Sequence, residues 1–179
     1  MKEGGGKRKG ASFERQICKL LDEWWGEKDA FWRTPCSGAR GTVSGAIHHF
    51  GDITAPGNST GTLLLDKVTI ELKTGYGKMW GPLDLLEGSP KTFFDFLEQA
   101  ITDQKKAERE AFWLIFKRHL KKPYICMPYS FFKEYWSIKI KEPFAIVHYK
   151  KEAYFIMRLD VFFKTYSPKV FHDNRNSSS

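Results

Sequence analysis

Three charged residues, Asp52, Glu71 and Lys73, have the types and spacing of a hydrolytic site that uses a metal ion. Side chains alternate along a strand, so Glu71 and Lys73 would share one face of a predicted strand and Leu72 the other. Two carboxylates bind a hard cation such as Mg²⁺, which polarises a phosphate and lowers the pKa of a bound water. A neighbouring lysine can position that water or neutralise charge building on phosphorus. Glu14, on a predicted first helix, could complete the metal shell. The set predicts metal-assisted phosphodiester hydrolysis.

Several short segments of the sequence resemble known nucleases. Gly51-Asp52-Ile53 followed by Ile70-Glu71-Leu72-Lys73 resembles the PD-(D/E)XK motif, with glycine where the motif has proline. Lys9-Gly10-Ala11-Ser12-Phe13-Glu14-Arg15 resembles the first-helix signature of archaeal-type Holliday junction resolvases, which phages also encode. Arg33-Thr34-Pro35-Cys36-Ser37-Gly38 resembles their loop with a serine important for cleavage. The matches cover roughly residues 7–75, and the ordered set is more specific than the short motif alone.

This resemblance implies a fold, an activity and a set of site residues. The implied fold is α/β, a restriction-endonuclease-like mixed central sheet flanked by helices. The implied activity is that of a structure-selective DNA endonuclease that depends on Mg²⁺, for which Mn²⁺ could substitute, and that acts as a homodimer on branched or junction DNA. The implied metal ligands are Glu14, Asp52, Glu71 and the backbone carbonyl of Leu72. Asp52, Glu71, Lys73 and Ser37 would act at the scissile phosphate, with Ser44 a weaker competitor for the role of Ser37.

Other residues could contact DNA or support the site. Candidate phosphate contacts are basic: Lys7, Arg8, Lys9, Arg33 and Arg40. Gln104 continues the apolar face of a predicted helix and would lie beside the site if that helix packs on the catalytic sheet, where other nucleases of the superfamily carry a glutamine. His48 and His49 have no third ligand at metal-site spacing, which favours loop residues that touch DNA. Trp80 is expected to be exposed, and could stack on an unpaired base or line a dimer contact.

Each feature also has an ordinary structural explanation. Asp52, Glu71 and Lys73 could form a surface ion pair across two strands, and such pairs contribute little stability. Glu14 could be an acid favoured by the helix dipole, Ser37 a turn residue, and Gln104 a half-buried helix residue bonded to backbone. Two other functions stay open. One is a restriction or phage-type nuclease that cuts linear DNA, and the other is a non-catalytic nucleic-acid-binding module of the same fold.

The hydrophobic pattern predicts the elements that position these residues. Phe13, Ile17, Leu20, Leu21 and Trp24 form the apolar stripe of a helix that runs from a Ser12 cap to near Gly26. We predict strands at 50–55, 62–65, 68–73, 111–117, 123–127, 144–149 and 153–157, and further helices at 92–110, 129–136 and 159–165. Residues 1–11 are predicted to be a flexible basic arm, 12–170 a single nuclease domain (core 12–118, extension 119–170), and 171–179 a disordered tail.

Composition and charge narrow the class of protein. The 179 residues include 29 Lys and Arg against 21 Asp and Glu, a net charge of +8 that favours a polyanion as partner. The longest apolar run, Ala111–Phe116, is far below the roughly 20 residues of a membrane span. Cys18, Cys36 and Cys126 form neither a C-x-x-C pair nor a disulfide framework, which indicates a reducing compartment and argues against structural zinc. We therefore expect a cytoplasmic protein, either nucleoid-associated or encoded by a virus and present in its host.

Overall fold

The computed structural model describes residues 5–34, 50–74, 91–118, 120–138 and 141–173, with the side chains of 5–9 and 91–92 outside that description. The helices are α1 (Gly5–Trp25), α2 (Thr62–Leu65), α3 (Lys91–Lys106), α4 (Tyr129–Tyr135), α5 (Leu159–Thr165) and α6 (Lys169–Asp173). The strands are β1 (Trp32–Arg33), β2 (Ile53–Thr54), β3 (Val68–Thr74), β4 (Ala111–Lys117), β5 (Tyr124–Pro128), β6 (Phe144–Tyr149) and β7 (Glu152–Arg158).

A five-stranded mixed sheet forms the centre of the fold. Its strand order is β3-β4-β5-β7-β6, with β3 parallel to β4 and every other neighbouring pair antiparallel. The short strands β1 and β2 pair separately and antiparallel, with Arg33 opposite Ile53. Strand β3, which carries Glu71 and Lys73, and strand β6 are therefore the two outer strands of the main sheet. This arrangement confirms the α/β class with a mixed central sheet flanked by helices.

Apolar residues cover both faces of the sheet because β4 is apolar on both sides. Ala111, Trp113 and Ile115 pack into the core under α1, α4, α5 and α6. Phe112, Leu114 and Phe116 pack into a second core beneath α3, together with Phe93, Leu97 and Ala100. A strand buried on both faces reads as a continuous apolar run, which is why the sequence predicted this element correctly.

The first helix is longer than the sequence predicted. Ser12 lies inside α1, which begins at Gly5, so residues 5–11 are helical and the flexible arm predicted for 1–11 is wrong over that span. Lys and Arg are good helix formers, and they let the helix extend beyond its glycines. The predicted apolar stripe is confirmed, since Phe13, Ile17 and Leu21 are buried. The C-terminal boundary also agrees, because Gly26 adopts φ +80° immediately after Trp25.

Two further predictions about local structure are wrong. Residues 62–65 form one helical turn instead of a strand, because the amides of Leu65 and Asp66 donate to the carbonyls of Gly61 and Thr62 while Leu64 is fully buried. The disordered tail predicted for 171–179 is wrong at its start. Phe171 lies in α6, is 2% exposed and stacks on Trp25. Residues 174–179 lie outside the described residues.

The remaining predicted elements are confirmed within a few residues. The helix predicted at 92–110 is α3, which ends at Lys106 because the backbone then turns through Glu108 at φ +54°.

Cys18 and Cys126 are buried free thiols, as expected, and burial followed by the charge of Asp22 raises the pKa of Cys18 to about 12. Cys36 lies outside the described residues. None of the described helices combines the length and apolarity needed to cross a membrane.

Candidate active site

Strand β3 carries the two central residues of the candidate site on the face that α3 covers. Val68, Ile70 and Leu72 point into the core under α1. Alternation therefore sends Glu71 and Lys73 to the opposite face, as the sequence predicted. The Lys73 Nζ atom donates to Glu71 Oε1 over 2.6 Å, and the side chains are 15% and 7% exposed. This ion pair is mostly shielded from water, unlike an ordinary surface pair.

Helix α3 supplies a glutamine that joins both members of this ion pair. Gln99 Nε2 donates to Glu71 Oε1 over 2.9 Å, and its Oε1 accepts from Lys73 Nζ over 2.9 Å. Phe96 lies on the same side of α3, about one turn before Gln99. The Lys73 Nζ atom lies over its ring, 5.5 Å from the ring centroid. The three polar side chains of Glu71, Lys73 and Gln99 thus form a closed triangle, which we call the β3 triad.

Asp52 is attached to the free edge of β3 by two hydrogen bonds. Its backbone N–H donates to Ile70 O over 2.8 Å, and its Oδ2 accepts from the Leu72 N–H over 2.8 Å. Since the N–H and C=O of one strand residue point to the same side, the Leu72 carbonyl also points to the edge where Asp52 lies. Asp52 and the Leu72 carbonyl, both predicted as metal ligands, are therefore neighbours.

Gly51 permits this close approach. Its φ of +86° is favourable only for glycine, and a Cβ atom there would lie 2.7 Å from Ile70 O. Glycine at the position where the PD-(D/E)XK motif has proline is thus explained by backbone contact. The segment before Asp52 can lie flat against β3 only because residue 51 has no side chain.

The surroundings of Glu71 shift its pKa strongly. Burial, followed by the negative charge of Asp52, raises the pKa of Glu71 to about 7, although Lys73 acts in the opposite direction. Asp103, on the row of α3 that carries Gln99, adds a smaller effect of the same sign as Asp52. Glu71 and Asp52 are close together and Glu71 is buried. An added positive charge would therefore stabilise their ionised forms.

Glu14 and Arg33 contact each other at the neighbouring side of the site. Arg33 Nε donates to Glu14 Oε2 over 2.5 Å, and the Glu14 side chain is only 15% exposed. Arg33 lies on β1, and the next residue, Thr34, donates its N–H to Asp52 O over 3.0 Å. The backbone thus links Glu14, through its partner Arg33, to the Asp52 segment. Within the described part of the chain, however, no three acidic, cysteine or histidine side chains are grouped closely enough to hold a metal ion.

The glutamine of α3 that was predicted to lie beside the site, Gln104, does not contact Glu71. Gln104 donates to the carbonyls of Arg109 and Glu110, over 3.0 and 3.2 Å, and so fastens the turn after the helix. Gln99 contacts the acid instead. Gln104 was predicted to lie beside the site because it extends the apolar row of α3. That row packs against the sheet, whereas Glu71 is contacted by the neighbouring row of the helix. Gln99 belongs to the row of α3 next to the apolar one, in which Phe96, Gln99 and Asp103 recur at helical spacing. That row is the sequence signal that could have identified Gln99.

Other predicted site residues cannot be placed. Ser37, Ser44, Arg40, His48, His49 and Trp80 lie outside the described residues, and so do the side chains of Lys7, Arg8 and Lys9, whose backbone belongs to α1.

Glu71 and Lys73 lie on an outer strand of a mixed sheet and Asp52 is held at the free edge of that strand, which is the arrangement expected of the PD-(D/E)XK class. The family described as "Phage putative PDDEXK endonuclease" matches residues 5–173. The chain belongs to this family of phage endonucleases. The match extends through the C-terminal third, so β5 to α6 are part of the family and not an addition to it.

Two further comparisons complete the picture. No curated protein sequence matches the chain. Among solved structures, the chain is similar to Hjc, a Holliday junction resolvase from the hyperthermophilic archaeon Archaeoglobus fulgidus, with 18% sequence identity, a TM-score of 0.36, and coverage of 91% of this chain and 98% of that one.

Proposed function

We propose that this protein is a divalent-metal-dependent DNA endonuclease that hydrolyses phosphodiester bonds in Holliday junctions or related branched DNA. The observation that carries the catalytic part is the β3 triad beside Asp52. A lysine ammonium lies 2.6 Å from a buried glutamate whose pKa is raised to about 7, partly by a second acid. A surface ion pair needs none of this burial, and a non-catalytic binding module gains nothing from it.

The donor chemistry fits a hard divalent cation. Asp52 and Glu71 supply carboxylate oxygens, and the Leu72 carbonyl faces the same edge as Asp52, which is the all-oxygen set that Mg²⁺ or Mn²⁺ prefers. Burial and the charge of Asp52 both raise the pKa of Glu71, so a cation nearby would favour its ionised form. When bound, the cation would polarise the scissile phosphate and acidify a water molecule. We propose Glu14 as a further ligand, which would have to approach Asp52 and Glu71 more closely than it does in this structure, where it is paired with Arg33.

Lys73 is proposed to act at the reacting phosphate. Its ammonium is fixed by Glu71, Gln99 and the Phe96 ring, so its position costs no further ordering when DNA binds. Held there, it neutralises the charge that develops on the phosphate oxygens during attack. Gln99 positions both charged partners without touching the phosphate. Ser37 is proposed to assist at the same phosphate.

Arg33 is shared between two roles. We predicted it as a phosphate contact, and it is occupied by Glu14 at 2.5 Å. The pairing uses the Arg33 Nε atom and the side chain is 38% exposed, so its terminal nitrogens can contact a phosphate while Glu14 stays paired. The other proposed contacts are Lys7, Arg8, Lys9 and Arg40, which account for part of the +8 net charge.

The branched substrate and the homodimer rest on the sequence resemblance of the first helix and of the loop around Ser37. One assay separates the substrate alternatives. A four-way junction, a fork and a linear duplex are incubated with the protein in Mg²⁺, in Mn²⁺ and in EDTA, beside the variants Asp52→Asn and Glu71→Gln. We expect metal-dependent cutting of the junction, and loss of roughly 10²-fold or more of the activity in both variants.

Three results would change the assignment. Intact junction cleavage by both variants removes Asp52 and Glu71 from catalysis. Equal rates on duplex and junction favour the general phage nuclease. Binding of DNA with a steep salt dependence but no cutting in either metal indicates a non-catalytic module.

A further inference from the structure

Trp32, on strand β1, presents a large aromatic ring to solvent. The residue is 53% exposed, and within the described part of the chain no aromatic ring contacts it. The other tryptophans that the structure describes are buried or half-buried among aromatic neighbours: Trp24, Trp25, Trp113 and Trp136. An apolar ring in water forgoes the free energy that burial would give it, so a flat ligand that covers this ring would be favoured.

The residues on both sides of Trp32 are fixed to the rest of the fold. Phe31 is buried, and its backbone N–H donates to Asp22 Oδ1 over 2.9 Å. Arg33 donates from Nε to the carboxylate of Glu14 over 2.5 Å. The backbone that carries the exposed ring is therefore held in place before any ligand arrives. Binding to a preformed platform of this kind costs little further ordering of the protein.

Strand alternation directs the Trp32 ring to the side of the fold on which Glu71 and Lys73 lie. Arg33 and the residue opposite it, Ile53, face α1, since Arg33 contacts that helix and Ile53 is buried in the core beneath it. Trp32 is one residue earlier on β1 and therefore points away from α1. Glu71 and Lys73 also point away from α1, because the alternate residues of β3 pack under that helix. The exposed ring and the two charged residues thus share one side of the molecule.

Two hydrogen bonds place β1 close to the candidate site. The Thr34 N–H donates to the Asp52 carbonyl, and the Asp52 N–H donates to the Ile70 carbonyl, so β1 lies two strand spacings from β3. With strands about 4.8 Å apart and residues about 3.3 Å apart along a strand, the Cα atom of Trp32 lies roughly 12 Å from that of Ile70. Successive bases of a duplex strand are about 3.4 Å apart. The ring can therefore reach a base within about four nucleotides of a phosphate at the site.

The charge next to Trp32 fits a nucleic acid strand. Arg33 uses its Nε atom for Glu14, and its side chain is 38% exposed, so its terminal nitrogens are open to a phosphate beside the ring. An aromatic ring next to a cation is the combination with which proteins hold single strands, with the base on the ring and the phosphate on the cation. Inside a duplex, both faces of each base are covered by its neighbours. A base with a free face occurs at a branch, a gap or a single-stranded arm.

We propose that Trp32 stacks on an unpaired base of the DNA substrate, near the phosphate that is cut. The assignment rests on the proposed nuclease function and adds to it a substrate-binding residue. Stacking on a ring needs no particular base, because every base has a flat face. Trp32 therefore selects for the structure of the DNA and not for its sequence, and it contributes to a preference for DNA with unpaired bases over an intact duplex.

Binding to DNA in EDTA tests this assignment without any cutting. Affinities of the full-length protein are measured by fluorescence anisotropy for a fork with single-stranded arms and for an intact duplex. Trp32→Ala should weaken binding of the fork roughly tenfold and binding of the duplex less than about twofold, whereas Trp32→Phe should keep most of the affinity. Phe144→Ala is the matched control, since Phe144 is a 40% exposed aromatic residue on the opposite outer strand, and it should change neither affinity. Circular dichroism melts of each variant identify any loss of folding.

A fluorescent base reports the stacking itself. 2-Aminopurine in an arm of the fork, near the branch, should lose fluorescence when the wild type binds, and should lose much less with Trp32→Ala at saturating protein. Equal losses of affinity for fork and duplex, no loss for either, or 2-aminopurine quenching that survives Trp32→Ala would overturn the assignment. A change of mass in light scattering on Trp32→Ala would also overturn it, because the ring would then contact a second copy.

Failure of this assignment is distinguishable from failure of the proposed function. A wild type that cuts DNA while Trp32→Ala binds and cuts as it does removes only the role of Trp32. A wild type that binds the fork through Trp32 but cuts no DNA in Mg²⁺ or Mn²⁺ removes only the nuclease activity. A wild type that binds no DNA would overturn both.

Discussion

The carboxylate of Asp52 accepts a 2.8 Å hydrogen bond from the backbone N–H of Leu72. The strand that carries Glu71 on one face therefore fixes the second acid with its own backbone, one residue further along. The distance between the two acids is set by strand geometry and not by flexible loops. Such a site keeps its carboxylates together even though their charges repel, because backbone hydrogen bonds hold one of them.

Gly51→Ala should destabilise the fold strongly. The new Cβ would lie 2.7 Å from Ile70 O, at a φ of +86°, so the segment must move away from β3. We expect a loss of about 2–4 kcal/mol in the free energy of unfolding, measured by urea denaturation. Gly57→Ala is the control, because nothing lies within 4 Å of a Cβ there. It should be neutral or slightly stabilising. Equal urea midpoints for both variants would contradict the role of Gly51.

The stability of the metal-free protein should fall as the pH rises toward neutrality. The folded-state pKa of Glu71, about 7, is above its ordinary 4.5, so the native state holds a proton that the unfolded chain has lost. Stability is therefore lost between pH 4.5 and 7, by about 3 kcal/mol for this group. Glu71→Gln should remove that decline in urea titrations with EDTA present.

Glu98→Gln offers a comparison of opposite sign. The hydrogen bond from Lys150, followed by that from Tyr149, lowers the pKa of Glu98, so its contribution is present at higher pH and is lost on acidification. This variant should leave the decline between pH 4.5 and 7 intact. If Glu71→Gln and Glu98→Gln gave the same pH profile, the buried charge at Glu71 would not be the cause.

Divalent metal should stabilise the wild type and fail to stabilise the acid variants. A cation that binds only the folded state adds about 2.7 kcal/mol at a concentration one hundred times its Kd. Thermal melts at pH 8 should rise with Mg²⁺ or Mn²⁺, and the rise should be absent in Asp52→Asn. Asp66→Asn is the control acid, since Asp66 pairs with Arg109 at the start of β3, and it should respond as the wild type does. A rise that persists in Asp52→Asn would place the metal elsewhere.

Gln99→Ala should alter the pH dependence of cleavage, whereas Gln104→Ala should alter only stability. Gln99 donates to the Glu71 carboxylate, and losing a donor to the charged form raises the pKa of that carboxylate further. We expect kcat to rise with pH as Glu71 ionises, and in Gln99→Ala this rise should occur at higher pH. Gln104 binds backbone carbonyls in the turn after α3, so its loss should lower the melting temperature without moving that profile. Identical profiles for the two variants would make Gln99 a structural residue only.

Local patterns were enough for the parts of the fold that local physics controls. The apolar run of β4 and the stripe of α1 led directly to buried elements, and strand alternation put Glu71 and Lys73 on one face. The prediction for residues 62–65 was wrong because Leu63, Leu64 and Leu65 suit either a strand or a helix. Backbone hydrogen bonds donated to the Gly61 carbonyl favour the helical turn. Phe171 looked like part of a tail because the residues it packs on, such as Trp25 and Trp113, are far away in sequence.

Gln99 could not be identified for a related reason. Which row of α3 faces Glu71 depends on how the helix is rotated over the sheet, and its apolar residues fix that rotation only to within one neighbouring row. Gln104 and Gln99 were both compatible with an amphipathic helix. The contact with Glu71 exists only in the packed structure.

The parallel pairing of β3 with β4 also governs when this chemistry can appear during folding. Parallel neighbours need a long crossover, and here the chain must pass from Thr74 through α3 before Ala111 can meet Val68. Contacts between residues so distant in sequence form slowly, because their loops must close first. Gln99 meets Glu71 and Lys73 only when this crossover packs α3 against β3. An incompletely folded chain therefore lacks the β3 triad, and the proposed nuclease site is complete only after β3, α3 and β4 have come together.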